Sequence, residues 1–489
     1  MTSTAARSDR ACGVLLASAT GDALGAPYEF GPPRGPDLPV DMDGGGSFGW
    51  EPGEWTDDTS MAIAIAEVAA AGADLRSEDA QDAIVARWCE WAATAKDIGS
   101  QTRAVLAAAE AAARREGSRI GARHARAAAE RHHARVGRSG GNGSLMRTAP
   151  VALAFLDDEA ALVEAATAIS ALTHFDPEAG EACALWCLAI RHAVQTGELD
   201  VRRGLSHLAA DRREVWSSRI GDAEAKRPAD FKHNGWVVEA FQGAWSAIKN
   251  TTIPADDPGT GVFAADHLRL ALDAAVRGGR DTDTVAAIAG ALLGGAYGSS
   301  AVPAAWRRAL HGWPGQRARD LVAMATSIVG HGAPDTFDYS YSQWTPLDAL
   351  VQHPYDCGVW IGGIAALHSP PPGVDAVVSL CRIGPDQVPA NVELVEVRLI
   401  DRNGAGHNPH LRFVLDDTVT LIEQLRGESR TVLLHCVQAH SRTPAVAALY
   451  GARRRGVTVD TALADIRAVL PHADPNESFR DALRATETQ

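Results

Sequence analysis

The chain has 489 residues, enough for two or three domains, and 46% of them are hydrophobic, ample for a sizeable core. The formal net charge is −15 and no Lys/Arg-rich block of the kind that makes a basic nucleic-acid-binding face is present, so no nucleic-acid partner is expected. The longest apolar stretch, from Val285, is shorter than a bilayer span and rich in glycine, so no membrane-spanning segment is expected either.

The N-terminal apolar run 13–19 passes without a cleavage site into Gly21-Asp22 and, in a Gly/Pro-rich loop, Glu29. No signal peptide is expected from that pattern. Seven cysteines, odd in number and without framework spacing, suit a reducing compartment, and a cytoplasmic protein is expected. Residues 55–61 read Trp-Thr-Asp-Asp-Thr-Ser-Met, and a helix-forming alanine-rich run follows at once. Asp57 and Asp58 between threonines therefore open a helix, where one side chain suffices for capping and four oxygen-bearing ones are offered. An over-supplied N-cap is the plain alternative. Residues 280–284, Arg-Asp-Thr-Asp-Thr, open a second apolar run in the same way. Two such clusters can converge on one or two hard divalent cations, which favour carboxylate and hydroxyl oxygens. A metal pair about 3.5–4 Å apart can activate a water. No His/Cys cluster has the spacing of a zinc site.

Periodic alanine-rich segments predict helices at 60–72, 80–95, 101–115, 159–172, 178–195, 236–249, 264–277, 284–297 and 317–329. The Arg-rich segment 114–138 reads as a solvated helical face. Together these imply a large all-α bundle over residues 1–332. Within it, Gly140-Gly141-Asn142-Gly143-Ser144 precedes Met146-Arg147, and such a loop lets backbone N–H groups approach phosphate oxygens. Thr173-His174 ends a helix before Pro177. The plain alternatives are a surface turn for Glu29, an interhelical turn for the glycine loop, and a helix-end residue for His174.

The ordered set Gly-Asp…Glu, Trp-Thr-Asp-Asp-Thr-x-Met, Gly-Asn-Gly-x-x-Met-Arg, Thr-His-x-x-Pro and Asp-Thr-Asp-Thr closely resembles the ADP-ribosylglycohydrolase family, over about residues 10–330. The resemblance implies an all-helical fold with two Mg2+ or Mn2+ ions. It implies cleavage at the anomeric carbon of ADP-ribose attached to a protein side chain or a small molecule. Thr56, Asp57, Asp58, Asp281, Asp283 and Thr284 would be metal ligands, and Glu29 would lie beside metal and substrate. Gly141, Asn142, Gly143, Ser144 and His174 would hold phosphates and ribose. Two departures stand out: Arg280 replaces a common glycine, and Ser139 stands where one family type has a candidate catalytic Asp.

Residues 333–351 are polar, aromatic and aperiodic, and read as a linker or ordered crossover. Beyond them, strands are expected at 357–361, 374–380, 392–400 and 431–435, and helices at 413–425, 443–454, 458–470 and 477–485. Alternating elements predict a small α/β domain over 352–489. There the strand ending at His435-Cys436 runs into Val-Gln-Ala-His-Ser-Arg442-Thr443-Pro444. A strand, loop and helix N-terminus in this order make an anion cradle. A cysteine there ionises readily, Arg442 grips a phosphoryl group, and Thr443 can hydrogen-bond the thiolate.

His-Cys-x5-Arg-Thr resembles the signature of dual-specificity phosphatases. The resemblance implies a phosphorylated substrate, Cys436 as nucleophile and a general acid upstream, for which Asp401 is the candidate. A turn residue before Asn403-Gly404 is its alternative. Ala439 replaces a usual glycine. The expected function is an ADP-ribosyl hydrolase fused to a phosphatase. The alternatives are a non-catalytic phosphate-binding module that targets the hydrolase, or a pair that processes a small ADP-ribose phosphate ester. The oligomeric state stays open.

Overall fold

A computed structural model of the chain describes residues 4–344, 347, 349–384 and 386–485. Positions 345, 346 and 348 of the expected crossover lie outside the described residues, as do the ends 1–3 and 486–489 of the two expected domains. Among the described residues, no helix is long and apolar enough to cross a membrane.

Up to Val329 the chain is a helical body, interrupted by a minimal pair of two-residue strands, His311–Gly312 and Gln316–Arg317. The periodic segments appear as helices close to their expected bounds, among them Asp57–Ala70, Pro177–Thr196, Val237–Asn250 and Thr282–Tyr297. Two long helices were not expected. Ala210–Ala225 is charged over most of its surface and buries only the narrow stripe Trp216, Ile220 and Ala223. Thr4–Gly25 runs straight through the apolar stretch and on past Asp22. Its glycines disfavour a helix in isolation, and the reason for them is tertiary.

That N-terminal helix lies against the central helix Thr282–Tyr297 with backbones in contact. A Cβ on Gly294 would lie 2.0 Å from the Gly13 carbonyl oxygen, and one on Gly290 2.1 Å from that of Ala17. A Cβ on Gly21 would lie 2.1 Å from the Ala286 carbonyl, and one on Gly25 2.4 Å from the backbone of Asp283. Glycine is required at each of these positions by close approach. The contact juxtaposes Asp22 and Asp283 at one end of the pair. At the other end, buried Asp9 accepts from the Ser299 hydroxyl at 2.6 Å and from Ser300 N–H at 3.1 Å.

The C-terminal part is a five-stranded sheet with helices. Its strand order is Leu350–His353, Asp356–Gly362, Val432–His435, Ala376–Ser379, Glu393–Glu396. The first pair is antiparallel and the rest are parallel. The central strand Val432–His435 is buried throughout. Its alternate residues face opposite ways: Val432 and Leu434 join the large core with the helix Leu411–Gly427, and Leu433 joins a smaller cluster with Val377, Ile364 and Tyr341. Two expectations change. The edge strand Leu350–His353 begins inside the segment read as a crossover. The strand expected at 392–400 ends at Glu396. Its neighbour Ala376–Ser379 ends opposite Glu396; Val397 N–H still donates to the Ser379 carbonyl, and Arg398 then pairs with Asp9 of the helical body at 3.5 Å.

One continuous apolar cluster spans the body and the sheet. Arg308 forks between Glu393 and Glu428, Ala304 N–H donates to Asp417 at 2.9 Å, and the rings of Phe263 and Phe413 meet edge-on at 5.9 Å. Gly294→Ala should lower unfolding free energy by about 2–3 kcal/mol through overpacking. Gly221→Ala, in the Ala210–Ala225 helix with open space around its would-be Cβ, should raise it by about 0.5–1 kcal/mol. Denaturant midpoints check both, and equal midpoints would contradict the packing account.

Candidate active sites

Asp22 holds the first site together. Fully buried near the end of the N-terminal helix, it accepts from Thr56 N–H and Thr59 N–H, both at 2.9 Å, and from the Thr59 hydroxyl at 2.6 Å. A carboxylate from another helix thus caps the Asp57–Ala70 helix. Thr56 occupies the N-cap position without a side-chain cap bond. Its hydroxyl instead lies 3.0 Å from Asp58, 3.4 Å from Asp283 and 3.5 Å from Asp57. The over-supplied N-cap is therefore not what these side chains form. Asp22 does the capping, and the cluster is left for other work.

The two Asp/Thr clusters converge. Asp22, Asp58 and Asp283 form one group, and Glu29, Asp281 and Asp283 another, with one oxygen from each member within 4.8 Å of the others. Among the described residues, no ion pair reaches Asp22, Glu29, Asp57, Asp58, Asp281 or Asp283. Asp58 Oδ1, Asp283 Oδ1 and Glu29 Oε2 are buried and lack any hydrogen-bond partner. Burial raises every one of these carboxyl groups, and repulsion from neighbouring carboxylates adds to it at Glu29, Asp57, Asp58 and Asp283. Asp57 is pushed up to about 7 and Glu29 to about 9, and Asp58 and Asp283 go well above the usual range. Burial alone outweighs the capping bonds at Asp22 and lifts it to about 6. Hard oxygen donors, orphaned and without a cationic side chain, suit a divalent cation.

The loops around the cluster are tied to one another. Phe30 and Arg280 both have positive φ, 64° and 68°, and Phe30 N–H donates to the Arg280 carbonyl while Arg280 N–H donates to that of Gly31. This bridge holds the Glu29 loop against the Asp281 loop. It also explains why glycine suits position 280. The Arg280 guanidinium turns to the carbonyls of Gly278 and Ala229, at 3.3 and 3.5 Å. Asn142 donates to Asp281 at 2.7 Å and to the Asn234 carbonyl at 2.9 Å, which joins the glycine loop to the cluster. Gly141 and Gly143 lie against the His174 ring, where a Cβ would come within 3.2 and 3.1 Å. The Thr284 hydroxyl lies 3.8 Å from the Met146 sulfur. Ser144 departs from the expected ligand-facing position: its side chain is in the core, 3.5 Å from the Cys183 thiol.

Two acidic residues escaped the sequence reading. Asp22 stood there only as part of a motif, because its capping partners are 34 and 37 positions away. Asp97 belongs to no motif, yet its charge helps raise Glu29, Asp57 and Asp281. It brings a carboxylate to the cluster's surroundings, whereas Ser139 is engaged with His133 Nδ1 at 2.7 Å.

The second site has the expected strand, loop and helix. Cys436 follows the strand Val432–His435 and is almost fully buried, and the helix Arg442–Arg455 opens six residues on. Ala439 is held at φ 51°, the left-handed conformation that costs a non-glycine residue about 1–2 kcal/mol. Arg442 donates through Nη1 to the carbonyls of Leu380 (2.9 Å) and Leu399 (3.2 Å). Its Nε and the Thr443 hydroxyl are buried and make no hydrogen bond, and Nε lies 3.7 Å from Asp401 Oδ2 in an ion pair that an incoming anion would compete with. His435 is buried and lowered to about 4, first by burial, so it stays neutral. Asp401 reaches this site, but its Oδ1 accepts from the Ser441 hydroxyl (2.7 Å) and Asn476 Nδ2 (2.8 Å).

Both sites gather reactive groups at the cost of burying them, as an enzyme does, and each offers orphaned polar atoms to a ligand. The model of the ADP-ribosylglycohydrolase family matches residues 3–338, and the chain belongs to that family. It is 28% identical over 303 residues to ADP-ribosylarginine hydrolase Tri1 of Serratia proteamaculans (strain 568), covering 61% of this chain and 74% of that protein. It is 29% identical over 304 residues to the ADP-ribosyl-[dinitrogen reductase] glycohydrolase of Rhodospirillum rubrum, covering 61% and 89%. A shorter match of 91 residues, 28% identical, links it to dual specificity protein phosphatase 1 of Arabidopsis thaliana, covering 19% of this chain and 44% of that protein. The chain is a glycohydrolase with a phosphatase-like C-terminal part.

Carboxyl groups raised by folding favour the protonated folded state. Their contribution to stability is full below the unfolded values near pH 4. It is lost as pH rises through about 6, 7 and 9 for Asp22, Asp57 and Glu29. In chelator, the thermal midpoint should fall between about pH 5 and pH 8, and Asp57→Asn should flatten that fall. Added Mg2+ or Mn2+ should raise the midpoint more at the higher pH. Melts that show no fall with pH, and no greater gain from metal at the higher pH, would contradict this electrostatic account.

Proposed function

We propose that residues 1–332 form a divalent-metal-dependent hydrolase unit that removes ADP-ribose from a modified protein side chain, joined by 333–351 to a phosphatase unit, 352–489. The observation that carries the first half is the convergence of Asp22, Asp58 and Asp283, and of Glu29, Asp281 and Asp283, with partnerless buried oxygens on Asp58, Asp283 and Glu29. We assign Thr56, Asp57, Asp58, Asp281, Asp283 and Thr284 to two Mg2+ or Mn2+ ions. Such ions, when bound, polarise ribose hydroxyls and a water. The Gly141–Gly143 loop and His174 hold the ribosyl phosphates. Asn142 keeps Asp281 in place. Glu29, beside the cluster, is the group we assign to move the proton. Side-chain-linked ADP-ribose is the substrate class supported by the relatives' names, and arginine is the linkage to test first.

In the second unit, Cys436 is the proposed nucleophile, Arg442 and Thr443 hold the phosphoryl oxygens, and Asp401 protonates the leaving group. The bonds of Asp401 to Ser441 and Asn476, with Ala439 in a strained loop, favour a second reading in which this unit binds phosphate without turning it over. All seven cysteines are free, which supports a reducing, cytoplasmic setting.

Release of ADP-ribose from an ADP-ribosylarginine peptide tests the first unit. Glu29→Ala should slow it by about 10²-fold or more while Mn2+ affinity changes little. An unchanged rate would remove Glu29 from the mechanism. Hydrolysis of an aryl phosphate, lost in Cys436→Ser, supports catalysis in the second unit. Phosphopeptide binding without turnover supports the second reading.

A further inference from the structure

Arg147 is a buried cation that the chemistry above does not use. Its side chain is 0% exposed, stacked 4.0 Å over the Trp88 ring, and among the described residues no carboxylate pairs with it. Burial pulls it down to about 9, which leaves it a cation at neutral pH. Its Nε has no partner and its Nη1 lies 3.6 Å from the Met61 sulfur. Its one strong hydrogen bond runs from Nη2 to the Thr173 hydroxyl at 2.6 Å. Removing a guanidinium from water for one hydroxyl is costly, and packing alone would be served better by an apolar residue.

The hydroxyl carries the consequence. A guanidinium only donates, so the Thr173 oxygen accepts from Arg147 and keeps its own single proton to give. Thr173 is fully buried, and among the described residues its hydroxyl has one other partner, His174 Nδ1 at 2.8 Å. Nδ1 is the one partner left for that proton, and a buried O–H without a partner is costly, so the arrangement with a bare Nδ1 is favoured over one in which the hydroxyl accepts twice. A neutral imidazole with a bare Nδ1 carries its hydrogen on Nε2. That edge of the ring lies against the glycine loop, where Cβ atoms built on Gly141 and Gly143 would fall 3.2 and 3.3 Å from Nε2. Gln101 steadies the relay by donating to the Thr173 carbonyl at 3.0 Å and the Ser139 carbonyl at 2.9 Å. His174 is also held well below its ordinary pKa, first by burial and then by the Arg147 charge, so the ring stays neutral.

We propose that Arg147 is a positioning residue for the ADP-ribosyl site: through Thr173 it fixes the His174 tautomer, so that Nε2 presents a neutral N–H donor to a phosphate or ribose oxygen beside the Gly141–Gly143 loop. The ligand half of this rests on the glycohydrolase reading; the tautomer half does not. Arg147 acts without touching the ligand, and Thr173 is the obligatory link.

The test is nitrogen NMR of the full chain labelled with 15N-histidine, with the His174 signals identified by their loss in His174→Gln. In wild type without ligand, His174 should show a bare Nδ1 and a protonated Nε2. Thr173→Ser keeps the hydroxyl and should keep both that pattern and the affinity for ADP-ribose in the presence of Mg2+. Thr173→Val should mix the tautomers and weaken ADP-ribose binding by about tenfold, one hydrogen bond's worth. Arg147→Met should do the same where it folds, and the threonine pair decides the matter where it does not. A wild-type His174 protonated on Nδ1, or a Thr173→Val variant with unchanged tautomer, would overturn the relay. The expected tautomer in wild type, with ADP-ribose bound by no variant, would support the relay and overturn the site's assignment to ADP-ribose.

Discussion

The structure depends on one contact, the backbone-to-backbone packing of the helices Thr4–Gly25 and Thr282–Tyr297. Glycines at 13, 21, 25, 290 and 294 remove the side chains that would otherwise hold the two apart. Their low helix propensity is outweighed by the close packing that they allow. The contact acts at both ends of the pair. At one end it brings Asp22 beside Asp58 and Asp283, residues more than 220 positions apart at the extremes. At the other it aligns Asp9 with Ser299 and Ser300, and the same carboxylate reaches Arg398, three residues before Asp401. The carboxylate cluster and the loop beside the cysteine cradle are built on opposite ends of one helix pair.

That geometry explains how so much negative charge can be gathered in one place. Six carboxyl groups share a buried site without an ion-paired cation, and folding raises all of them. A surface cluster would relax by turning its side chains to water. Here Asp22 is fixed by three donors, Asp281 by Asn142, and the Glu29 and Asp281 loops by reciprocal backbone bonds. The cluster is held in shape by neutral donors, which leaves oxygens of Asp58, Asp283 and Glu29 for a ligand. In the cysteine cradle Arg442 is oriented by two carbonyls, and its Nε makes no hydrogen bond but faces Asp401 at 3.7 Å.

Much of this was legible in the sequence because it is local. Asp/Thr clusters opening apolar runs, the Gly-Asn-Gly loop, and His-Cys-x5-Arg after a strand are short patterns with their own physics. The periodic helices were legible for the same reason. What was hidden is relational. The N-terminal helix has too much glycine to look helical until its partner is known. Asp22 becomes a cap only across 34 residues, and Asp97 matters only through its charge on distant groups. Ser144 is in the loop as expected, but its side chain answers to Cys183 in the core. The strand over 392–400 alternates correctly to its end, but it stops at Glu396 because its neighbour Ala376–Ser379 ends opposite it. Ala439 shows the converse: the sequence flagged a missing glycine, and the positive φ is there with alanine in it.

The central claim is that two Asp/Thr clusters on separate helices form one cation site. Crystals grown with Mn2+ test it directly, because manganese is located by its anomalous scattering independently of any assumed ligand. The account predicts anomalous density bounded by Asp58, Asp281 and Asp283, with Glu29 alongside. Manganese found only at surface carboxylates, with the buried oxygens of Asp58 and Asp283 joined by shared protons, would contradict it.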